Sequence, residues 1–240
     1  ATVVIRLDGV SAGLMERDVF YPVLGGLLGG LVGKAVPVIS GLAPGVSEDR
    51  LKALGAASAS TGSVGMFHMV GSTPEAPTLE AALAGHRPVE EVTVTAADLR
   101  GARDRLSTTT SDDLRTVSLG TPHYSVSEIG RLVELLGGRR VGDGVAFFVS
   151  TGRDVLHEVE LRGWAGRLAD AGVTMVTDTC TYFTPIIQDR TGTSMTDSAK
   201  WAYYAPGNLG LEVVFGSTED CVESAILGRV VRDEGIWADA

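Results

Sequence analysis

Polar side chains that could do chemistry follow three predicted strands in the second half of the sequence. They come shortly after Leu119, Val149 and Val176, and they are Thr121, His123, Ser150, Thr151, Arg153, Asp178 and Cys180. In an open parallel sheet, ligands bind outside the carboxyl ends of the strands. We therefore expect these side chains to meet at one edge of the sheet. Ordinary turn and helix-cap chemistry is the competing interpretation for each of them, although Cys and His are poor caps.

The cationic residues at this edge suit anion binding and proton transfer. Arg153 is able to clamp a carboxylate through two parallel hydrogen bonds, or simply to begin a solvated helix, and Ser150 and Thr151 are hydroxyl donors beside it. His123 follows a proline at a strand end, and a catalytic and a non-functional role are both open. His68 lies inside a β-patterned run, where a hydrogen-bonded core histidine is the favoured interpretation.

The segment "SMTDSAKWAYYAPG" places Ser198 and Lys200 two residues apart. Residues two apart do not face each other on a helix. A neutralised lysine can nevertheless activate a serine, as Ser–Lys hydrolases show. The competing interpretation is a solvated helix start, since triplets of this type are common by chance.

Cys180 allows three interpretations: a buried packing thiol, a nucleophile or a metal ligand. The chain has only two cysteines, Cys180 and Cys221, and no C-x-x-C or Cys/His pair at ligand spacing. A closed structural metal site within this chain is therefore not expected. A site that shares its ligands with another chain stays open.

Alternation of short β-branched runs with longer helical patterns must position these residues. This alternation predicts an α/β fold in which a parallel sheet carries helices on both faces. The predicted strands include Ser63–Val70 and Val173–Thr177, and the predicted helices include Val126–Leu136, Arg153–Ala171 and Thr218–Leu227. Starts of the capping-box type support helices beginning near Ser125, Ser217 and Thr95. The polar segment "STTTSDD" divides the chain into a first subdomain, residues 1–110, and a second, residues 111–240, which carries the strand-end motifs.

Composition narrows the function classes. The 30 acidic residues against 20 basic ones give a net charge of −10, which argues against a nucleic-acid partner. No apolar run reaches the roughly 18 residues of a membrane span, and the glycine-rich Val19–Gly33 is expected to be a buried helix. Two cysteines make no disulfide framework, so a cytoplasmic location is the default. The sequence lacks an initiator methionine and enters a strand at once, which predicts missing partner sequence.

Taken in order, five blocks of the sequence resemble the aconitase X family, specifically its large catalytic portion. The blocks are "GSVGMFHMVGSTPEAPTLEAAL" (62–83), "LGTPHYSVSEI" (119–129), "TDTCTYFTPI" (177–186), "TDSAKWAYYAPG" (196–207) and "EVVFGSTEDCVESA" (212–225). The resemblance covers essentially the whole chain and implies an aconitase-like α/β fold. Members dehydrate small hydroxy acids such as cis-3-hydroxy-L-proline or mevalonate 5-phosphate, which implies that this chain is part of a hydro-lyase.

The resemblance also implies an iron–sulfur cluster or iron as cofactor. Family members bind their cluster through three cysteines: one upstream, one in a "GCPH"-type turn and one in the "TDTC" turn. Cys180 matches the last of these, whereas Thr121 occupies the "GCPH" position. A threonine oxygen is a poor replacement for thiolate in such a site.

The catalytic candidates come from the second and fourth blocks, whereas most substrate-binding candidates are chosen because a carboxylate substrate needs cationic and hydroxyl donors. Ser198 and Lys200 match an "NSAK"-type motif in which Asp197 replaces the usual asparagine, and with His123 they are the catalytic candidates. Substrate-binding candidates are His68, Ser150, Thr151, Arg153 and Tyr204. Tyr203 stands where members often have histidine, which suggests an altered substrate preference or altered activity.

The leading hypothesis is a subunit or fragment of an aconitase X-type dehydratase that acts with an upstream large-subunit portion and a small swivelling subunit. One alternative is a relative with a changed or lost cluster that does different chemistry on a similar acid. Others are a non-catalytic partner subunit and, more remotely, a Ser–Lys hydrolase built on Ser198 and Lys200.

Overall fold

In this computed structural model, which describes residues 1–238, four short segments near the start of the chain pair as a parallel sheet. Its strands are β1 (Val3–Gly9), β2 (Pro37–Ser40), β3 (His68–Met69) and β4 (Glu90–Thr95), in the order β3-β2-β1-β4. The helices that accompany it are α1 (Ala12–Met15), α2 (Phe20–Val32), α3 (Glu48–Gly62), α4 (Leu79–Leu83) and α5 (Ala96–Arg105). The buried β-branched side chains of β1 and β2 explain why these segments form the centre of the sheet.

Close packing of α2 on α3 depends on glycine. A Cβ atom at Gly25 would lie 2.3 Å from the carbonyl oxygen of Leu54, and one at Gly29 would lie 1.9 Å from the hydroxyl oxygen of Thr61. The two backbones can approach this closely only because these positions carry no side chain. The glycine-rich segment is thus the buried helix that its composition predicted. No helix of residues 1–238 is both long and apolar enough to span a bilayer.

A second parallel sheet organises the following part of the chain. Its strands are β5 (Leu114–Tyr124), β6 (Ala146–Thr151), β7 (Val173–Thr177), β8 (Thr193–Thr196) and β9 (Glu212–Phe215), in the order β7-β6-β5-β8-β9. The helices are α6 (Val126–Leu136), α7 (Arg153–Leu161), α8 (Trp164–Ala171), α9 (Ala199–Leu209) and α10 (Thr218–Leu227). Helix α6 packs against α8 and α10, whereas α9 packs against β5, β8 and β9.

The strand order of this second sheet reverses beside β5. From β5 the chain proceeds to β6 and β7 on one side, then crosses to β8 and β9 on the other. With right-handed crossovers, this reversal leaves a crevice between the carboxyl ends of β5 and β8.

The parallel α/β class predicted from the sequence is confirmed. Helices α6 and α10 and strand β7 have the predicted bounds, and all three predicted capping interactions form, at Ser125, Ser217 and Thr95. The single helix expected over Arg153–Ala171 is wrong: it divides at Gly163, whose φ of 69° is a left-handed conformation. Strands β4 and β8 were not predicted: β8 is short and polar, whereas the alternating Val and Thr residues of β4 were a strand pattern that the prediction missed.

Two compact units result from this arrangement. The first comprises residues 1–104 together with 234–238, which include a 3-10 helix at Glu234–Trp237, and the second comprises residues 105–233. The sequence-based subdomains, 1–110 and 111–240, differ from these units by a few residues at the boundary and by the return of the last segment to the first unit.

Candidate functional site

The carboxyl end of β5 bends sharply at Gly120. This residue has a φ of 79°, and a Cβ atom there would lie 2.1 Å from the carbonyl oxygen of Ser150. Only glycine allows β5 to contact β6 so closely and then turn. The turn, which contains a cis Thr121–Pro122 peptide bond, brings Thr121 to Ser198 and His123 to the loop that follows β7.

Ser198 caps α9 from the opposite side of the crevice between β5 and β8. Its hydroxyl donates to the carbonyl oxygen of Thr121 and accepts a 3.0 Å hydrogen bond from the backbone N–H of Trp201. The side chain is buried, and its single proton is already used. In this geometry Ser198 joins the β5 turn to α9, which leaves the Ser–Lys hydrolase without an available serine.

Lys200 is the second residue of α9 and is partly buried. Residues four apart share a helix face, so Lys200 and Tyr204 lie on the same side of α9. The Tyr204 ring stacks on that of Tyr182, with centroids 5.4 Å apart and an angle of 13° between the planes. The face of α9 that carries Lys200 is therefore the face that contacts the loop after β7, residues 178–184, called the Cys180 loop below. The Lys200 ammonium has no ion-pair or hydrogen-bond partner among residues 1–238.

The Cys180 loop is anchored by buried hydroxyl groups. Thr181 is fully buried, its hydroxyl lies 2.6 Å from that of Ser118, and it accepts a 2.8 Å hydrogen bond from the Trp201 indole. The Cys180 carbonyl accepts hydrogen bonds from the backbone N–H groups of Phe183 and Thr184, at 3.1 and 3.0 Å. These contacts hold the partly buried Cys180 in a short closed turn beyond β7.

His123 connects the β5 turn to this loop. Its Nε2 atom lies 3.3 Å from the carbonyl oxygen of Thr179. A carbonyl oxygen can only accept, so Nε2 carries the proton in this hydrogen bond. The strand ends that hold Thr121 and Cys180, 59 positions apart in the numbering, are thus neighbours in the fold.

Arg153 and Asp178 form an ion pair where β6 and β7 end. The backbone N–H of Arg153 lies 3.1 Å from Oδ1 of Asp178, and its guanidinium Nε lies 2.6 Å from Oδ2. These hydrogen bonds hold the pKa of the Asp178 carboxyl below its ordinary value. The Arg153 side chain is 80% exposed, so its remaining donors are available to an incoming anion.

Two buried hydroxyls at the strand ends have no hydrogen-bond partner within residues 1–238. They are Oγ1 of Thr121 and Oγ of Ser150. A buried polar group without a partner is costly, and a ligand that hydrogen-bonds to it removes this cost. Thr151 differs, because its hydroxyl donates to the carbonyl oxygen of Tyr124 at 2.8 Å and so stabilises the strand end.

Sequence reasoning did not identify Asp197 as a titrating group. Its Oδ2 accepts hydrogen bonds from the Tyr124 hydroxyl and, at 2.8 Å, from the Thr218 hydroxyl. Burial raises the pKa of the Asp197 carboxyl to about 6, although both hydrogen bonds act in the opposite direction. The only signal in the sequence was the aspartate itself, at a position where the related motif has asparagine.

The remaining candidates belong to other elements of the chain. His68 belongs to β3 of the first unit, where it is buried, as expected for a core histidine, but its Nδ1 has no partner among residues 1–238. Its assignment to substrate binding stays a prediction. Cys221 is fully buried in the core of the second unit, and desolvation raises the pKa of its thiol well above the ordinary value.

The donor set of this chain does not fit an iron–sulfur cluster. Residues 1–238 contain no group of three or more His, Cys, Asp or Glu side chains placed to hold a metal ion. Cys180 supplies one accessible thiol, Thr121 supplies a hydroxyl in place of a second, and Cys221 is enclosed in the core. Thiolate ligands from outside these residues would be needed to complete such a site.

Comparison with known proteins agrees with this architecture. Sequence models of the aconitase X second and third domains match residues 1–104 and 114–227. Over 240 residues the chain is 40% identical to a cis-3-hydroxy-L-proline dehydratase of Pseudomonas aeruginosa, covering 99% of this chain and 41% of that protein. It is 36% identical to a phosphomevalonate dehydratase large subunit of Methanothermobacter thermautotrophicus, covering 88% of this chain and 50% of that protein.

A solved structure shows the same fold. The crystal structure of Thermococcus kodakaraensis aconitase X in its holo-form matches with a TM-score of 0.80 and 28% identity, over 94% of this chain and 55% of that one. The chain spans about half or less of the length of these relatives. With two domain models matched in order along nearly its full length, the chain belongs to the aconitase X family.

Proposed function

We propose that this chain is part of a hydro-lyase that removes water from a small hydroxy carboxylic acid, cis-3-hydroxy-L-proline being the first candidate substrate. The observation that carries the proposal is the 40% identity to a cis-3-hydroxy-L-proline dehydratase along the whole chain. Cationic and hydroxyl groups at the carboxyl ends of β5, β6 and β8 support it, because open parallel α/β sheets bind ligands at this edge.

Dehydration requires a base for the proton beside the carboxylate and an acid for the departing hydroxide. Lys200 is the proposed acid, since its ammonium faces the Cys180 loop without an internal partner. His123 is the proposed second proton-transfer group, and Ser198 acts by holding the β5 turn against α9.

The substrate carboxylate is proposed to bind between Arg153 and the strand-end hydroxyls. Arg153 offers exposed donors, and the Ser150 hydroxyl is buried without a partner among residues 1–238. Tyr204, stacked on Tyr182, provides an apolar wall that excludes water from one side. Thr151 contributes by holding the end of β5 in place.

The proposed hydro-lyase includes polypeptide sequence beyond this chain. Several similar proteins are phosphomevalonate dehydratase large subunits, which supports an assembly with further large-subunit sequence and a small subunit. A cytoplasmic location belongs to the same proposal. No catalytic step is assigned to an iron–sulfur cluster, because the thiol donors of this chain do not suffice for one.

Turnover in the assembled protein tests the proposal. The chain would be purified with the polypeptide sequence that accompanies it, and loss of water from cis-3-hydroxy-L-proline, mevalonate 5-phosphate and related hydroxy acids would be followed by product absorbance and mass spectrometry. Dehydration of one of these acids is the expected result. Absence of turnover on all of them, with every partner present, would overturn the proposal.

A second candidate, a relative with an altered cluster, is favoured by the position of Thr121. Its buried side chain stands where related motifs carry a cysteine, and it offers a hydroxyl oxygen instead of the thiolate sulfur that such clusters require. Iron and sulfide analysis of anaerobically prepared protein separates the two candidates. A stoichiometric cluster in the unmodified protein contradicts the altered-cluster candidate, whereas iron and sulfide that rise only in Thr121→Cys support it.

A further inference from the structure

Asp178, at the start of the Cys180 loop, contacts the first residue of α7 through both of its carboxylate oxygens. Oδ1 accepts a 3.1 Å hydrogen bond from the backbone N–H of Arg153, where the N-cap residue Gly152 has no side chain to do so. Oδ2 accepts a 2.6 Å hydrogen bond from Nε of the Arg153 guanidinium and lies 2.5 Å from its Nη2 atom. One oxygen thus caps the helix, and the other fixes the cation.

The contact through Nε leaves a defined part of the Arg153 guanidinium open. A guanidinium holds its five N–H donors in a rigid planar fork, so a carboxylate on the Nε edge leaves the end formed by the two Nη atoms unoccupied. The side chain is 80% exposed, and no group of residues 1–238 bonds to Nη1. This free end has the geometry that binds an incoming carboxylate through two parallel hydrogen bonds.

The backbone of Asp178 adopts an uncommon conformation at this contact. Its φ of 57° lies in the left-handed region, which aspartate tolerates better than most residues. In this conformation the Asp178 N–H donates to the carbonyl oxygen of Thr151 at 3.0 Å, while the carboxylate reaches Arg153. Such conformations persist where surrounding contacts hold them, and they cluster at ligand sites. Asp178 is therefore held from the end of β6 and the start of α7 together.

The charge of the pair favours one class of anion. Arg153 and Asp178 together are formally neutral, and the Asp178 carboxylate repels a phosphate dianion more strongly than a monoanionic carboxylate, because repulsion grows with charge. A planar carboxylate also matches the two free Nη donors. Cis-3-hydroxy-L-proline and mevalonate 5-phosphate both carry such a carboxylate, so the arrangement suits either candidate substrate.

We propose that Asp178 is the positioning residue for Arg153. It holds the guanidinium with the Nη end free, and the pair then selects the carboxylate of the substrate rather than a phosphate group. This role presupposes the proposed dehydration, in which Arg153 binds the substrate carboxylate. Asp178 itself acts through Arg153 and not by contact with the substrate.

Binding of an unreactive carboxylate tests this role without turnover. L-Proline has the carboxylate of the first candidate substrate but no hydroxyl group to lose, and calorimetry would give its Kd for the assembled protein. Asparagine at position 178 still accepts the Arg153 backbone N–H but presents an amide to the guanidinium, so Asp178→Asn should raise this Kd on the order of tenfold. Inorganic phosphate should not displace L-proline. No binding of L-proline, an unchanged Kd in Asp178→Asn, or displacement by phosphate would overturn the proposal.

Kinetics of the assembled enzyme separate positioning from helix capping. Asp178→Asn should raise KM for the hydroxy acid on the order of tenfold with little change in kcat. Asp178→Ala should raise KM equally and also speed hydrogen exchange in the first turn of α7, because the cap is lost. Glu158→Gln is the matched control: it removes a 2.7 Å ion pair with Arg162 at the end of the same helix and should leave KM unchanged.

A KM that rises in Asp178→Ala but not in Asp178→Asn would show that Asp178 only caps α7, and the proposal would fail while the proposed function stands. If the unmodified enzyme turns over no hydroxy acid, the proposed function fails. The L-proline measurements then still decide whether Asp178 positions Arg153 for a carboxylate.

Discussion

The two units of this protein share a strand order but differ in where their backbones approach most closely. Numbered along the chain, both sheets run 3-2-1-4, and the second adds a fifth strand. In the first unit, the close contact is between helices, where Gly25 and Gly29 allow α2 to pack on α3. In the second unit, the close contact is at a strand end, where Gly120 allows β5 to approach β6.

The second unit also has a network of buried Ser and Thr hydroxyls at its strand ends. The strand ends of the second unit are joined by Ser118, Thr181, Thr196 and Ser198, all buried, in hydrogen bonds that cross from β5 to β8 and to the Cys180 loop. A common topology therefore supplies only the crevice, and the side chains at the crevice decide where chemistry is done.

The largest expected effect is on activity, from Lys200→Ala. Removing the proposed acid should lower kcat of the assembled enzyme by on the order of 10²- to 10⁴-fold, with little change in the unfolding midpoint. Lys34→Ala, in the first unit, is the matched control and should retain activity. Equal activity of the two variants would show that the α9 face is not the reacting one.

The next effect is on the stability of the first unit, from Gly29→Ala. A Cβ atom at this position would overlap Thr61, so we expect a loss of about 2–3 kcal/mol. Gly30→Ala is the matched control: no heavy atom lies within 4 Å of a Cβ there, and the helix should gain about 0.5–1 kcal/mol. Hydrogen exchange of the α2 and α3 amides measures both changes, and similar values for the two variants would contradict the packing argument.

The sequence predicted the second unit better than the first, for physical reasons. Helix α6 combines a strong apolar period with the Ser125–Glu128 capping box, and four of the five residues of β7 are β-branched, so local signals suffice there. In the first unit, the predicted strand Ser63–Val70 shrinks to His68–Met69, because pairing with β2 is available to only two residues. Tertiary contact decides that length.

The candidate site was predictable only in part. The convergence of Thr121, His123 and Cys180 followed from strand-end position alone. The use of Ser198 as a cap that also bonds the Thr121 carbonyl did not, since it depends on how β5 and α9 meet. The raised pKa of Asp197 likewise arises from burial between β5 and α10, which no local pattern encodes.

A smaller effect is expected on how the stability of the second unit depends on pH. Burial raises the pKa of Asp197 from 3.8 to about 6, so the folded state binds a proton that the unfolded state has released between these values. Stability is then lost as pH rises through this window. Asp197→Asn should gain about 2 kcal/mol relative to the unmodified chain between pH 4 and pH 7.5. Denaturant unfolding at both pH values measures it.

Asp189→Asn is the control for that measurement, because the pKa of Asp189 is shifted in the opposite direction to that of Asp197. Hydrogen bonds from Thr191 lower the pKa of the exposed Asp189 carboxyl, so its contribution is present above the ordinary aspartate value and is lost as pH falls. Replacement by asparagine should therefore not stabilise the chain at pH 7.5. The same gain in both variants would point to net charge rather than to burial of Asp197.

The smallest effect compares equivalent helix caps in the two units. Ser125 forms a reciprocal capping box with Glu128, with hydrogen bonds of 2.8 and 3.2 Å, whereas the exposed Ser47 makes one 3.4 Å bond to the Arg50 N–H. Ser125→Ala should cost about 1 kcal/mol and Ser47→Ala about 0.5 kcal/mol. Hydrogen exchange of the first turns of α6 and α3 measures each locally. Because α6 begins directly after the β5 turn, we also expect Ser125→Ala, but not Ser47→Ala, to shift the NMR signals of His123. Equal local losses and an undisturbed His123 would mean that the cap of α6 only stabilises its helix and does not position the candidate site.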